Sequence, residues 1–151
     1  VPNRPKPTQP LSYARSLLQP LYNYLVNPAT QNAAASAVSQ ELRREWIIAT
    51  IDRITTQYAD LVSQLIDAHL ADKTAVNGVG ASRPLLPDSE KVLQQLVLDV
   101  DEVARQISTS FQLEPESISS FVRLRQLVNT RYVINVIQNY SWRSAHQKLF
   151  M

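Results

Sequence analysis

The side chains that could do chemistry are few and scattered. His69 and His146 stand far apart, and neither has a second ligand at metal-binding spacing. His69 lies near the end of a long helical run, where a cation suits the helix dipole, so both are read as structural. Asp99, Asp101 and Glu102 form a compact acidic group. Asp99 and Glu102, three apart, share a helix face and could hold a divalent cation, but carboxylates on a solvated face are the plainer reading. Both glycines fall in Asn77–Gly78–Val79–Gly80, without the Lys–Ser/Thr that a phosphate loop needs. No serine stands in a nucleophile-elbow setting. The absence of cysteine excludes disulfides, thiolate zinc sites and a cysteine nucleophile. The expectation is a chain with no catalytic residue, no metal and no cofactor.

Charge is the more informative signal. Residues 1–40 carry Arg4, Lys6 and Arg15 and no acid, and residues 117–151 carry Arg123, Arg125, Arg131, Arg143 and Lys148 and no acid. All 13 acids lie in residues 41–116, beside seven basic residues, so the ends are basic and the middle is acidic. Three outcomes are open: the ends fold back onto the middle, they meet acidic surfaces of neighbouring copies, or they face phosphate. Arg123 and Arg125, two apart, point in different directions and make no tidy stripe. Tyr140 and Trp142 could stack on bases. The net charge is only +2 and no nucleic-acid motif is visible, so nucleic-acid binding is not favoured.

The elements that must position these residues read as helices. At 151 residues and 44% hydrophobic, the chain can build one domain or two small helical lobes. Charged residues are 19%, with Gln, Asn, Ser and Thr in their place, a surface cheap to desolvate against neighbours. Residues 1–10 alternate proline with polar residues and predict an extended arm, with a helical domain over 11–151. Leu11 to Val26 is helical in pattern, and Pro20 must kink it or open a second short helix. Asn27–Pro28 breaks the run, and residues 29–40 permit a helix without enforcing one.

From Glu41 to Asp72, Ile47, Ile51, Ile54, Tyr58, Leu61 and Leu65 form a heptad-like seam, widened by Ile48, Val62 and Ile66. Such a helix would be roughly 48 Å long. Residues 73–87 read as a loop joining lobes 11–72 and 88–151. Asp88 or Ser89 would cap a third helix that buries Leu93, Leu96, Val97, Val100, Val103, Ala104 and Ile107. Glu114–Pro115–Glu116 starts a fourth, to about residue 139, apolar on nearly all sides and so expected to be enclosed by the bundle or by another subunit. The tail, with Tyr140, Trp142 and Phe150, is expected to dock on something. No stretch reaches the roughly 20 apolar residues of a membrane span, and the proline-rich start is unlike a signal peptide.

Ser120–Phe121–Val122–Arg123–Leu124–Arg125–Gln126, followed by a tyrosine-containing apolar helix, resembles the C-terminal part of the nucleocapsid outer-shell proteins of cystoviruses. The resemblance implies an all-α shell subunit tiling around an inner capsid protein, located in the virion. The residues expected to carry contacts are Arg123, Arg125, Arg131, Arg143 and Lys148, the aromatics Tyr140, Trp142 and Phe150, and Arg4 and Lys6 of the arm. The expected architecture is a four- to five-helix bundle with an arm or helix exchanged between subunits, and the main partner is the chain itself. Two other readings are a helical adaptor or secretion-type chaperone for a protein partner, and a small RNA-binding module, either of them cytoplasmic.

Overall fold

The computed structural model describes residues 6–76 and 87–149. It is all-α, with no strand among the described residues. The helices are α1 (Ser12–Ser16), α2 (Gln19–Leu25), α3 (Ala33–Ala37), α4 (Gln40–Val76), α5 (Pro87–Thr109) and α6 (Ser119–Leu149), with a 3-10 turn at Pro115–Ser117 before α6.

Side-chain pairings fix the direction of each segment. Gln9 meets Gln95, Leu11 meets Asp99, Ala14 meets Gln106 and Tyr22 stacks edge-on against Phe111. The arm, α1 and α2 therefore run alongside α5 in the same direction. Thr55 meets Ser120 and Asp60 meets Arg123, so α4 and α6 also share a direction. The result is a bundle of four rods in alternating directions, whose first rod is made of the arm and two short helices. Pro20 opens α2 in its first turn instead of bending a longer helix, which costs no hydrogen bond because those N–H groups are unpaired in any helix.

The core is one cluster drawn from Leu18 at the joint between α1 and α2, from α2, α4, α5 and α6, and from the turn between the last two. Leu93, Leu96, Val100, Val103, Ala104 and Ile107 are buried as their spacing requires, with Val97 packed at the edge. On α4 the buried positions are Ile47, Ile51, Thr55, Ala59, Val62 and Ile66. The seam thus turns away from the heptad expected, because Leu61 and Leu65 are 63% and 41% exposed. Thr55 and Ala59 are short, and short side chains are what the α4–α6 crossing takes. Thr55 Oγ1 donates to Ile51 O at 2.8 Å and lies against Ser120 Oγ. Ser120 Oγ in turn reaches Asp52 O at 3.0 Å, and Ser120 N donates to Asp52 Oδ1 at 3.4 Å. Asp52 thereby places a carboxylate at the start of α6, where the helix dipole favours it.

Three local expectations are corrected. Lys73–Val76 continues α4 instead of beginning a loop, giving a helix of 37 residues, about 55 Å long. The glycines lie outside the described residues. Asp88 and Ser89 stand inside α5, which begins at Pro87, a residue suited to a first helical position. And α6 is enclosed only in its first half: Phe121, Leu124 and Val128 are buried, whereas Val133 is 53% and Ile137 58% exposed. With 31 residues against the 23 of α5, α6 outruns its neighbour. Gln112 closes α5 with a positive φ of 55°, and Leu113 N donates to Ile107 O at 3.1 Å across that turn.

Two substitutions separate the actual seam from the expected one. Ile51→Ala should cost about 2–5 kcal/mol in urea unfolding, whereas Leu61→Ala should stay within about 0.5 kcal/mol. Equal losses would mean that α4 turns its other face inward. Asn135 is fully buried with neither amide atom partnered, so Asn135→Leu should raise stability by about 1 kcal/mol in the same measurement.

Candidate interaction surfaces

Asp99 is the electrostatic centre of the molecule. The solvated acidic face expected here does not exist at this residue, which is fully buried on α5. Its Oδ1 accepts from the Leu11 backbone N–H at 2.8 Å and from Gln95 Nε2 at 3.0 Å, and its Oδ2 accepts from the Tyr13 hydroxyl at 2.6 Å. A buried carboxylate is tolerable only with such a set of donors. Tyr13 gives its one proton to Asp99, so in its 2.9 Å contact with Tyr58 the Tyr58 hydroxyl is the donor. The two rings meet edge-on at 6.1 Å. Burial, and after it the hydrogen bond to Asp99, pushes the Tyr13 hydroxyl far above its ordinary value, and burial raises Tyr58 as well.

The carboxylate is one member of a row. Gln95, Asp99, Glu102 and Gln106 recur at spacings of four, three and four along α5. Gln95 Nε2 also donates to Gln9 O at 2.9 Å, and the buried Gln106 amide donates to Ala14 O at 2.8 Å and Arg15 O at 3.0 Å. Those two carbonyls lie in the short helix α1, whose last turn has no partners of its own. Glu102 pairs with Arg105 at 2.5 Å. The pair Asp99 and Glu102 therefore faces donors of the chain, and the described residues hold no cluster able to take a metal ion.

Among the described residues, the basic set does not converge. Arg123 pairs with Asp60 of α4 at 2.7 Å, and Arg125 pairs with Glu116 at 3.0 Å while lying 4.8 Å over the Phe121 ring. Both pairs are exposed and contribute little to stability, but they turn two basic residues toward the chain's own acids. Arg131 is half-buried, a turn and a half further along α6. Positions 142, 143 and 148 continue the same helix, but their side chains lie outside the described residues, as do Arg4 and Phe150. Lys6 is exposed at the start of the arm, beside an open groove of about 770 Å³ between arm, α4 and α5.

Sequence reasoning took the second half of α6 as enclosed by the bundle or by another subunit, with Tyr140 in a docking tail, and did not separate an outward apolar stripe from the inward register. Val133, Val136, Ile137 and Tyr140 lie at helical spacings on the outward side of α6, and Tyr140 is 75% exposed. Leu11, Tyr13 and Leu65 form a second exposed group, around the arm. The signal for the first was present: Asn135 interrupts the apolar run at the register that faces the bundle. No described helix is long and apolar enough to cross a membrane.

The family model for "COG complex component, COG2, C-terminal" matches residues 2–100. The "Conserved oligomeric Golgi complex subunit 2" of Dictyostelium discoideum is 25% identical over 134 residues, covering 83% of this chain and 14% of that protein. The chain thus spans about one seventh of the length of that relative. No solved structure matches it. These matches overturn the cystovirus resemblance. Ser120–Gln126 lies outside the matched segment, and its pattern is what any amphipathic helix start produces: Phe121 and Leu124 are buried, and Arg123 is outside. With it fall the viral shell, the chain itself and an inner capsid protein as partners, and the virion or cytoplasm as location. The chaperone-like adaptor and the RNA-binding module find no support either.

Asp99→Asn should cost about 1–3 kcal/mol, since an amide brings donors into a cluster of donors, and the Leu11 amide should lose protection in hydrogen exchange. An unchanged Leu11 amide would show that the arm is held by something else. Tyr13 and Tyr58 ionise less readily folded than unfolded, so their contribution is intact below about pH 10 and is lost as the pH rises beyond it. The urea midpoint should fall between pH 9 and 11, and Tyr13→Phe should flatten that fall.

Proposed function

The chain belongs to the family of the COG2 C-terminal region, and from that membership we propose that it is a helical scaffold segment of a subunit of an oligomeric Golgi complex. In this reading it works at the Golgi, has no catalytic role, and contacts other subunits of the complex. The observation that carries it is the extent of the family match. Residues 2–100 take in the arm, α1 to α4 and α5 as far as Val100, and so include Asp99 together with its donors on Leu11, Tyr13 and Gln95. The match therefore covers the polar contacts that seat the first rod on α5, and not a single helix whose pattern recurs by chance.

The physical form supports the same role. Long rods packed in alternation offer extended outward faces, and two apolar groups stand uncovered on them. Asp99 and Tyr13, which line the groove beside the arm, are taken up by hydrogen bonds of the chain itself, and the pairs Glu102–Arg105, Asp60–Arg123 and Glu116–Arg125 are structural.

A tagged full-length protein containing this chain, isolated from its own cells, should carry the other subunits of the complex at near-equal amounts, and the tag should mark the Golgi by microscopy. Recovery of the protein alone, or away from the Golgi, would overturn the reading.

A further inference from the structure

The second half of α6 is packed inside out. Over two turns it exposes Val133, Val136, Ile137 and Tyr140 to solvent, while Asn135, between them, is fully buried with both amide atoms unpartnered. Each half of that observation runs against the ordinary sorting of side chains, and together they mark a stretch whose packing is completed from outside the chain. The exposed positions fall at i, i+3, i+4 and i+7, the spacing by which one helix lies along another. Nearer the start of α6 the same outward side is polar, with Gln126, Asn129 and Thr130 exposed, so the stripe is bounded.

Charge says what kind of helix fits. Arg123 and Arg125 are already paired with Asp60 and Glu116. From Gln126 to Met151 the chain carries no acid; Arg131 shares the inward register of Asn135, whereas Arg143 and Lys148 fall at register positions that flank the stripe just beyond Tyr140. A basic apolar helix is complemented by an acidic one.

We propose that the outward face of α6 around Val133, Val136, Ile137 and Tyr140 is the docking site for an acidic amphipathic helix of a partner subunit. The inference rests on the reading of the chain as part of an oligomeric complex and adds the surface and the chemistry of its occupant. The acidic helix lays its apolar side on the stripe, its carboxylates beside the flanking positions 143 and 148 of α6. Rising salt weakens the contact, because the charges flank an apolar centre and stay near solvent. Asn135 remains a buried polar group in the joined bundle, the kind of residue that fixes helix register.

The test uses the assembled complex, with a photo-crosslinking residue at position 137 or 140 and, as a control, at 129. Crosslinks from 137 and 140 to a net-acidic, heptad-patterned segment of another subunit are expected, with little from 129. Val136→Glu with Ile137→Glu should weaken that subunit's binding by about tenfold or more. The urea midpoint of the isolated chain should not move, since both residues are exposed. Crosslinks only within the chain, to a second copy, or to a basic segment would overturn the proposal, as would unchanged binding by the double variant. If the unmodified chain joins the complex and 137 and 140 stay silent, the docking face alone is wrong. Failure of the unmodified chain to join any complex overturns the scaffold reading as well.

Discussion

The fold depends on keeping one carboxylate satisfied away from water. Asp99 stands fully buried on α5, and an unpaired charge there would cost several kcal/mol. Its donors come from three places: the backbone of Leu11, the hydroxyl of Tyr13 and the amide of Gln95. Two of the three belong to the first rod, so satisfying Asp99 and seating that rod on α5 are the same event. The arm has few apolar side chains of its own, and a proline-rich segment forms no internal hydrogen bonds. Without the polar row on α5 nothing would fix its register. Tyr58 extends the set to α4 through Tyr13, so a single buried charge ties together three of the four rods.

The two sides of α5 accordingly do different work. Leu93, Leu96, Val100, Val103 and Ile107 face α4 and α6 and supply the non-directional part of the cohesion. Gln95, Asp99 and Gln106 face the first rod and supply direction. That division suits the partners. A long helix finds its place by burying a continuous stripe, whereas a five-residue helix has too little area and needs hydrogen bonds to hold its last carbonyls. The α4–α6 contact combines both means in one spot, where Thr55, Ser120 and Asp52 join hands inside an otherwise apolar crossing.

Helices, breaks and most of the core were legible in the sequence because they depend on local periodicity. The side of α4 that faces inward was not. Leu61 and Leu65 satisfy a heptad on paper, but the seam is decided by what lies opposite, and opposite Thr55 lies Ser120 of a helix 65 residues away. Asp99 was misread for a related reason. A carboxylate three residues from another looks like a solvated pair or an ion site, and only a donor 88 positions distant in the chain reveals it as buried. The row Gln95, Asp99, Glu102, Gln106 carried the usable hint, since polar residues at core-like spacing beside an apolar stripe call for a partner with free carbonyls and N–H groups. The resemblance drawn from Ser120–Gln126 failed because seven residues of amphipathic helix identify a secondary structure and not a family.

The apolar character of α6 was read as enclosure by the bundle or by another subunit, and the first of these fails for an instructive reason. Hydrophobicity round a whole helix was averaged along its length, although its two halves obey different rules. As far as Val128 the apolar residues point at α4 and α5 and are covered. From Val133 on, the bundle-facing register is taken by Asn135 and the outward register by aliphatic and aromatic side chains. A helix that kept its inward stripe throughout would be a finished part of one bundle. Turning the stripe outward from Val133 on gives the chain a second apolar face at a different angle from the first, and two such faces on one rod allow it to belong to two bundles at once.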